Sequence, residues 1–432
     1  MTEPALGGEA QIPQPDPIAA EYLRLALRLD QHLPGFVDSY FGPAGLKAQV
    51  DLEQLRPPQL LAVDARALRE RLAAERPTGP RAAWMHAQLV AIEANARALT
   101  VAPQGYTGTA YLEHVQACFD RLPERRPAEL FAAARADVDR LLPGPVPAIE
   151  RLAAWDAALT IPTDRLRAVI DWLLPILRER AGSLFGLPAG EALQVGLVTG
   201  QPWSGYNWYD GGLRSRVDIN TDLPVRAPDL LGLLAHEAYP GHHLEHAWKE
   251  ARLVRAERRV ECSVLLINTP ECLVSEGLAD LGRRFATTPN EEPGLLVELL
   301  ERAGLAARSD GRSAADVAAA AIALHAPRRR LGEFAVNAAL RRHADGADHA
   351  TVRRELEQVA LFAPERAEKR LEFIEHPLWR TYVFVYAEGE ALLGRWLDEV
   401  PEADRAARFG RLLVEQLTPA TIAAEVNPAT AG

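Results

Sequence analysis

Residues 236–246 read His-Glu-Ala-Tyr-Pro-Gly-His-His-Leu-Glu-His, a dense run of imidazoles and carboxylates. The apolar stretch Leu230–Ala235 precedes them, so a buried helix should carry His236 and Glu237 into the interior. A histidine buried beside a glutamate is costly unless both find partners, and a metal ion is such a partner. Imidazole nitrogen and carboxylate oxygen are donors that zinc accepts in tetrahedral sites.

The common zinc-binding helix, His-Glu-x-x-His, sets two imidazoles on one face, one turn apart. Here His242 follows His236 by six residues, about 240° around an ideal helix, and His243 by seven, about 10 Å along the axis. Neither can share an ion with His236 on an unbroken helix. Pro240 and Gly241 lie between them. Proline at 240 cannot bond the carbonyl of His236 and clashes with it, so the helix must open. Glycine permits the unusual backbone angles for re-entry. Counting Pro-Gly as a two-residue bulge restores the spacing, with His242 as second ligand and His243 in reserve. A competing reading takes His242-His243-Leu244-Glu245-His246 as the inverted order His-x-x-Glu-His, with metal on His242 and His246 and Glu245 as base. It leaves His236 and Glu237 without a task, so the first reading is preferred and His246 is expected on the helix surface.

The segment Thr269–Asp280, TPECLVSEGLAD, completes the set. Thr269 and Pro270 form a helix start. Glu276 and Asp280, four residues apart, share a face. Glu276 is the expected third ligand. Asp280 is expected to orient a ligating imidazole and fix its tautomer. Three protein ligands leave zinc a fourth position for water, with Glu237 as general base.

HEAYPGHHLE, SEGLAD and the late YAEG at Tyr386–Gly389 resemble the bacterial family known as domain of unknown function 885. Its members carry His-Glu-x-x-Pro-Gly-His-His-Leu-Gln, Glu-Gly-Trp-Ala and a late Tyr-x-x-Gly. The resemblance covers about 200 residues, from Trp203 to Gly389, and implies a mostly helical, glutamate-zincin-like metallopeptidase. Glu245 stands where the family has glutamine, and Leu278 where it has tryptophan. By this resemblance Tyr386 steadies the oxyanion; Tyr382 and Arg380 are neighbours that could polarise a carbonyl. The expected function is a zinc-dependent hydrolase, a peptidase acting on a peptide or small amide. The alternatives are a non-catalytic metal-binding protein and a zinc amidase or esterase acting on a small metabolite.

The elements that must position these residues are mostly helices. Alanine, leucine, arginine and glutamate dominate the composition, and aromatic residues make up only 6%. Helical patterns cover 23–33, 65–75, 83–99, 128–142 and 164–181, and return beyond Pro228. Asp16 caps a first helix that opens with Pro17. Leu193–Val198, Tyr206–Tyr209 and Arg214–Ile219 carry the β signal, with Asp210-Gly211-Gly212 as a hairpin turn. The expected fold is therefore mostly α and zincin-like, with one small antiparallel sheet beside the active-site helix. Residues 1–15 read as a disordered leader, 16–190 as an N-terminal helical region, and 191–432 as the catalytic region, continuous with those helices. The hairpin could bind an extended peptide or buttress the active helix.

A formal net charge of −11 argues against nucleic-acid binding. The run Arg328–Arg330 is expected as a solvated helix face. Cys118, Cys262 and Cys272 suggest no disulfide framework. The start carries no signal-peptide pattern, and no apolar run is long enough to span a membrane. A cytoplasmic protein without a membrane partner is expected.

Overall fold

The computed structural model describes residues 12–75, 79–101, 105–201, 203–306 and 311–426. Residues 1–11 of the expected leader lie outside them. Within residues 12–15, Ile12 packs against the core. Asp16 caps helix Pro17–Asp30 by accepting from the Ala19 amide at 2.8 Å. The N-terminal half continues with helices Pro58–Ala74, Pro80–Ala98, Ala128–Leu141 and Thr163–Phe185, the last running through Pro175. One continuous apolar cluster extends from Ile18 to Ile422, so the early helices and the site region share a core.

The fold is mostly α, with two small sheets among the described residues. The first pairs β1 (Val37–Tyr40) with β5 (Val264–Leu266), antiparallel. The sequence pattern missed both, because each is too short to display alternation. The second contains β2 (Ala192–Val198), β3 (Gly205–Gly211) and β4 (Arg214–Asn220), with β4 in the centre. Strands β3 and β4 form the expected antiparallel hairpin, while β2 runs parallel to β4. Gly211, Gly212 and Leu213 all take positive φ at the turn. Glu250 holds that turn, accepting from the Gly212 and Leu213 amides and the Tyr209 hydroxyl.

Three helices carry the site: Ala227–Glu237, His242–Lys249 and Pro270–Ala286. Thr269 caps the third, as its sequence implies. Asn268 locks this cap in place. It donates to the Leu378 carbonyl and accepts from the Thr381 hydroxyl, while its own carbonyl takes a bond from Asn95 of helix Pro80–Ala98. Helix Phe384–Asp398 then crosses Pro270–Ala286 at two glycines. A Cβ on Gly277 would lie 2.5 Å from the Gly389 carbonyl carbon, and one on Gly389 only 2.4 Å from the Leu273 carbonyl oxygen. The glycines of the SEGLAD and YAEG motifs are thus the two faces of one backbone-to-backbone contact.

The substitution Gly277→Ala or Gly389→Ala should lower unfolding free energy by about 2 kcal/mol or more, since overpacking against backbone cannot relax through a side chain. Gly294→Ala, whose Cβ meets open space, should leave stability unchanged within about 0.5 kcal/mol or raise it slightly. Denaturant titration of the three variants checks this; equal stability across them would contradict the close crossing.

Candidate metal site

Helix Ala227–Glu237 ends at Pro240-Gly241, and a new helix begins at His242. The sequence implies a bulge in one helix; the chain instead makes two helices joined by residues 238–241, with a cis Tyr239–Pro240 peptide. Gly241 takes φ −77° and ψ −140°, angles outside the ordinary helical and strand regions, and a Cβ there would lie 1.8 Å from the His236 carbonyl oxygen. Only glycine lets the chain fold back so closely. The result sets the His236 and His242 rings 4.7 Å apart and nearly perpendicular.

Glu276 faces both rings. Its Oε2 lies 3.4 Å from His236 Nε2, and its Oε1 lies 3.5 Å from His242 Nε2. The three groups present ligand atoms within 4.8 Å of one another. Each imidazole is held from behind at Nδ1. Asp280 Oδ1 contacts His236 Nδ1 at 3.0 Å, and Glu245 Oε2 and Ser275 Oγ lie 3.6 and 3.3 Å from His242 Nδ1. Such partners fix the ring so that Nε2 is free to ligate. Tyr382 donates to Glu276 Oε1 at 2.6 Å.

A cation fits this set. Glu276 Oε2 is buried and, beyond the 3.4 Å approach of His236 Nε2, has no hydrogen-bond partner among the described residues, an arrangement costly for a carboxylate unless a positive charge faces it. Burial opposes charge on every member, yet the carboxylates overcome it at the imidazoles. Glu276 and Glu245 hold His242 up at about 10, and Asp280 and Glu276 hold His236 well above the ordinary histidine range. Glu276 in turn is held far below the usual carboxylate range by the two histidines, against its desolvation. Two nitrogens and one oxygen are zinc-type donors.

Glu237 lies beside them, buried at 8% exposure, its carboxyl pushed up by desolvation. Strand β3 braces it: Asn207 donates to the Glu237 carbonyl at 2.8 Å, and Gly205 leaves room that a Cβ would take from Leu233 and Glu237. The hairpin therefore buttresses the helix that carries His236 and Glu237. Tyr386 lines the same cavity, its ring 6.5 Å from that of His236, and burial pushes its hydroxyl well above the ordinary tyrosine range. The cavity, about 210 Å³, also has walls of Trp203, Tyr206, Phe373 and Trp379.

His243 is not part of this set. It is fully buried, with Nε2 on Glu191 at 2.7 Å and Nδ1 on Ser215 at 2.8 Å, so both nitrogens are committed elsewhere. Glu191 also accepts from the Tyr239 hydroxyl and is held down to about 2 against its own burial by these donors. Arg380 lies away from the cavity wall, donating to the Tyr106 carbonyl at 2.6 Å beside His343. His246, expected on the surface, is 7% exposed and stacks on His242 at 5.6 Å. It points inward because strand β3 covers that face, setting Tyr209 against its ring.

The inverted group, His242, Glu245 and His246, also brings its ligand atoms within 4.8 Å of one another. Glu245, however, is already engaged. Lys249 contacts its Oε1 at 2.7 Å and Ser275 donates to its Oε2 at 2.5 Å, whereas Glu276 Oε2 has only the 3.4 Å approach of His236 Nε2. His246 Nδ1 of the inverted group is also buried without a hydrogen-bond partner, so the carboxylates alone favour the His236 group.

Sequence reasoning missed Asp38, which lines the cavity from β1, accepts from Tyr206 and is pushed up to about 6 by burial. No local motif marks it. It also missed the chain from Glu245 through Lys249 to Glu271 and Gln88, joined at 2.7, 2.9 and 3.2 Å. The i, i+4 spacing of Glu245 and Lys249 was its one visible signal.

No family model matches the chain, and no curated relative is found for it. Among solved structures, the chain is similar to "the putative lipoprotein from Colwellia psychrerythraea", at 14% identity and a TM-score of 0.50 over 85% of this chain. It spans 66% of that protein's length. A "putative lipoprotein of unknown function from Shewanella oneidensis" matches at 12% identity and a TM-score of 0.46, over 94% of this chain and 72% of that one. The first likeness concerns the fold alone. No described helix is long and apolar enough to cross a membrane.

Metal analysis of purified variants separates the two groups. His236→Ala, His242→Ala and Glu276→Ala should each lose the metal, while His246→Ala retains about one equivalent. Loss in His246→Ala with retention in His236→Ala would transfer the site to the inverted group. His243→Ala should keep its metal but unfold earlier, by about 1–3 kcal/mol, because it strips a donor from buried Glu191.

Proposed function

We propose that this chain is a zinc-dependent hydrolase, a peptidase whose ion is held by His236, His242 and Glu276 and whose general base is Glu237. One observation carries the reading: two imidazole Nε2 atoms converge on Glu276, one oxygen of which has no other partner, beside a buried Glu237. The resemblance of HEAYPGHHLE, SEGLAD and YAEG to domain of unknown function 885 supports the same class.

When bound, zinc would supply Lewis acidity toward a carbonyl and bring the pKa of a bound water to about 7. The protein's own residues do the rest. Glu237, with its affinity for protons raised by burial, accepts the proton of the attacking water and delivers it to the leaving amine. Tyr386, kept protonated by its buried setting, donates a hydrogen bond to the developing oxyanion. Tyr382, Asp280 and Glu245 maintain the aim of Glu276, His236 and His242. The aromatic walls exclude bulk water and strengthen each of these interactions.

The variant Glu237→Gln should keep its metal and lose turnover by about 10²–10⁴-fold. A peptide-library digest read alongside metal content tests this. Wild-type turnover in Glu237→Gln would place the base elsewhere, and loss of metal would make Glu237 a ligand. Stripping the ion with a chelator should abolish hydrolysis, and restoring zinc should recover it.

A further inference from the structure

A second cavity, about 360 Å³, opens at the amino end of helix Ala227–Glu237 and shares no lining residue with the first. The helix rises about 1.5 Å per residue, which puts some 15 Å between this opening and Glu237. One side is apolar, built from Leu152, Trp155, Leu324 and Phe362. The same lining carries five guanidiniums in a chain whose overall charge is −11.

Four of the five are answered by carboxylates. Arg226 pairs with Asp156 and Asp229, and Arg328 reaches Asp156 at 2.9 Å. Arg283 pairs with Glu292, and Arg329 with Glu390. Arg329 and Arg330 are exposed, as expected of a solvated helix face, and Arg328 and Arg329 also line this cavity. Arg366 differs. It lies over the Phe362 ring at 4.6 Å and makes no ion pair or hydrogen bond among the described residues. Its side chain is exposed to solvent. Positive charge is thus in local excess at the boundary between a polar wall and an apolar one.

We infer that this cavity binds a small organic anion, with its oxyanion on Arg366 and its apolar body against Trp155, Leu324 and Phe362. A guanidinium presents a planar fork that matches a carboxylate or a phosphate, and the shared chemistry is that oxyanion. The apolar wall rewards a ligand with a hydrocarbon or aromatic portion over a bare ion. The site is independent of the proposed hydrolase chemistry, since it uses none of those residues.

Calorimetric titration of the full chain with phenylacetate, phenyl phosphate and neutral benzyl alcohol tests the inference. At least one anion should bind, and the tighter of the two identifies the carboxylate or phosphate source. Benzyl alcohol should bind more weakly than either. Arg366→Gln should weaken anion binding by roughly ten- to a hundred-fold, the range for losing a charged hydrogen-bond partner. Arg366→Lys should retain part of the affinity. Because Arg366 is exposed and its one described contact is the Phe362 ring, both variants should shift the melting temperature little. Hydrogen exchange should locate protection in 148–159 and 361–366. Chelation of the metal should leave the affinity unchanged, which keeps this result separate from the fate of the hydrolase reading. Unchanged anion affinity in Arg366→Gln, equal binding of benzyl alcohol, no anion binding, or protection centred on 236–246 would each overturn it.

Discussion

A buried carboxylate must be surrounded by charge or donors, and Glu276 organises the site through that requirement. Its two oxygens draw His236, His242 and Tyr382 toward one point from three different segments. Its own helix is fixed at the start by Thr269 and Asn268, which tie it to the turn that carries Tyr382. The partners of Glu276 are themselves held from behind, His236 by Asp280 and His242 by Glu245 and Ser275. Removing any of these contacts would leave a charge in the interior with too little to balance it.

That arrangement is reachable only because side chains are missing at three places. Gly241 lets the chain return across the His236 carbonyl, and Gly277 and Gly389 let two helices touch through their backbones. The first closes the distance between the imidazoles, and the crossing brings Tyr386 to the cavity that Glu276 borders. Close approach is common to all three, and none has a positive φ.

Charge is distributed unevenly within this acidic chain. Carboxylates concentrate around the candidate metal site, where Glu237, Glu276, Asp280, Glu245 and Asp38 are set against three histidines and a lysine. Guanidiniums concentrate at the opposite end of the same helix. Both clusters are partly enclosed, where the lower dielectric makes an imbalance of charge count for more than on the surface. Lys249, paired with Glu245 and Glu271, neutralises part of this acidic cluster.

The mostly helical fold, the β3–β4 hairpin and the helix starts at Asp16 and Thr269 were determined by local pattern, because capping, periodicity and turn chemistry act over a few residues. His236, His242, Glu276 and Asp280 were legible for the same reason: their spacing and the Pro-Gly break constrain which groups can meet. Local pattern left His242 and His243 as alternatives. Tertiary structure separated them by burying Glu191 and Ser215 against His243, contacts from 52 and 28 residues away. It likewise turned His246 inward under β3, and brought Asp38 to the cavity on a strand too short to carry a pattern of its own. Which chemical groups can meet is a short-range question of spacing, whereas which of them remain free depends on partners that only the folded chain supplies.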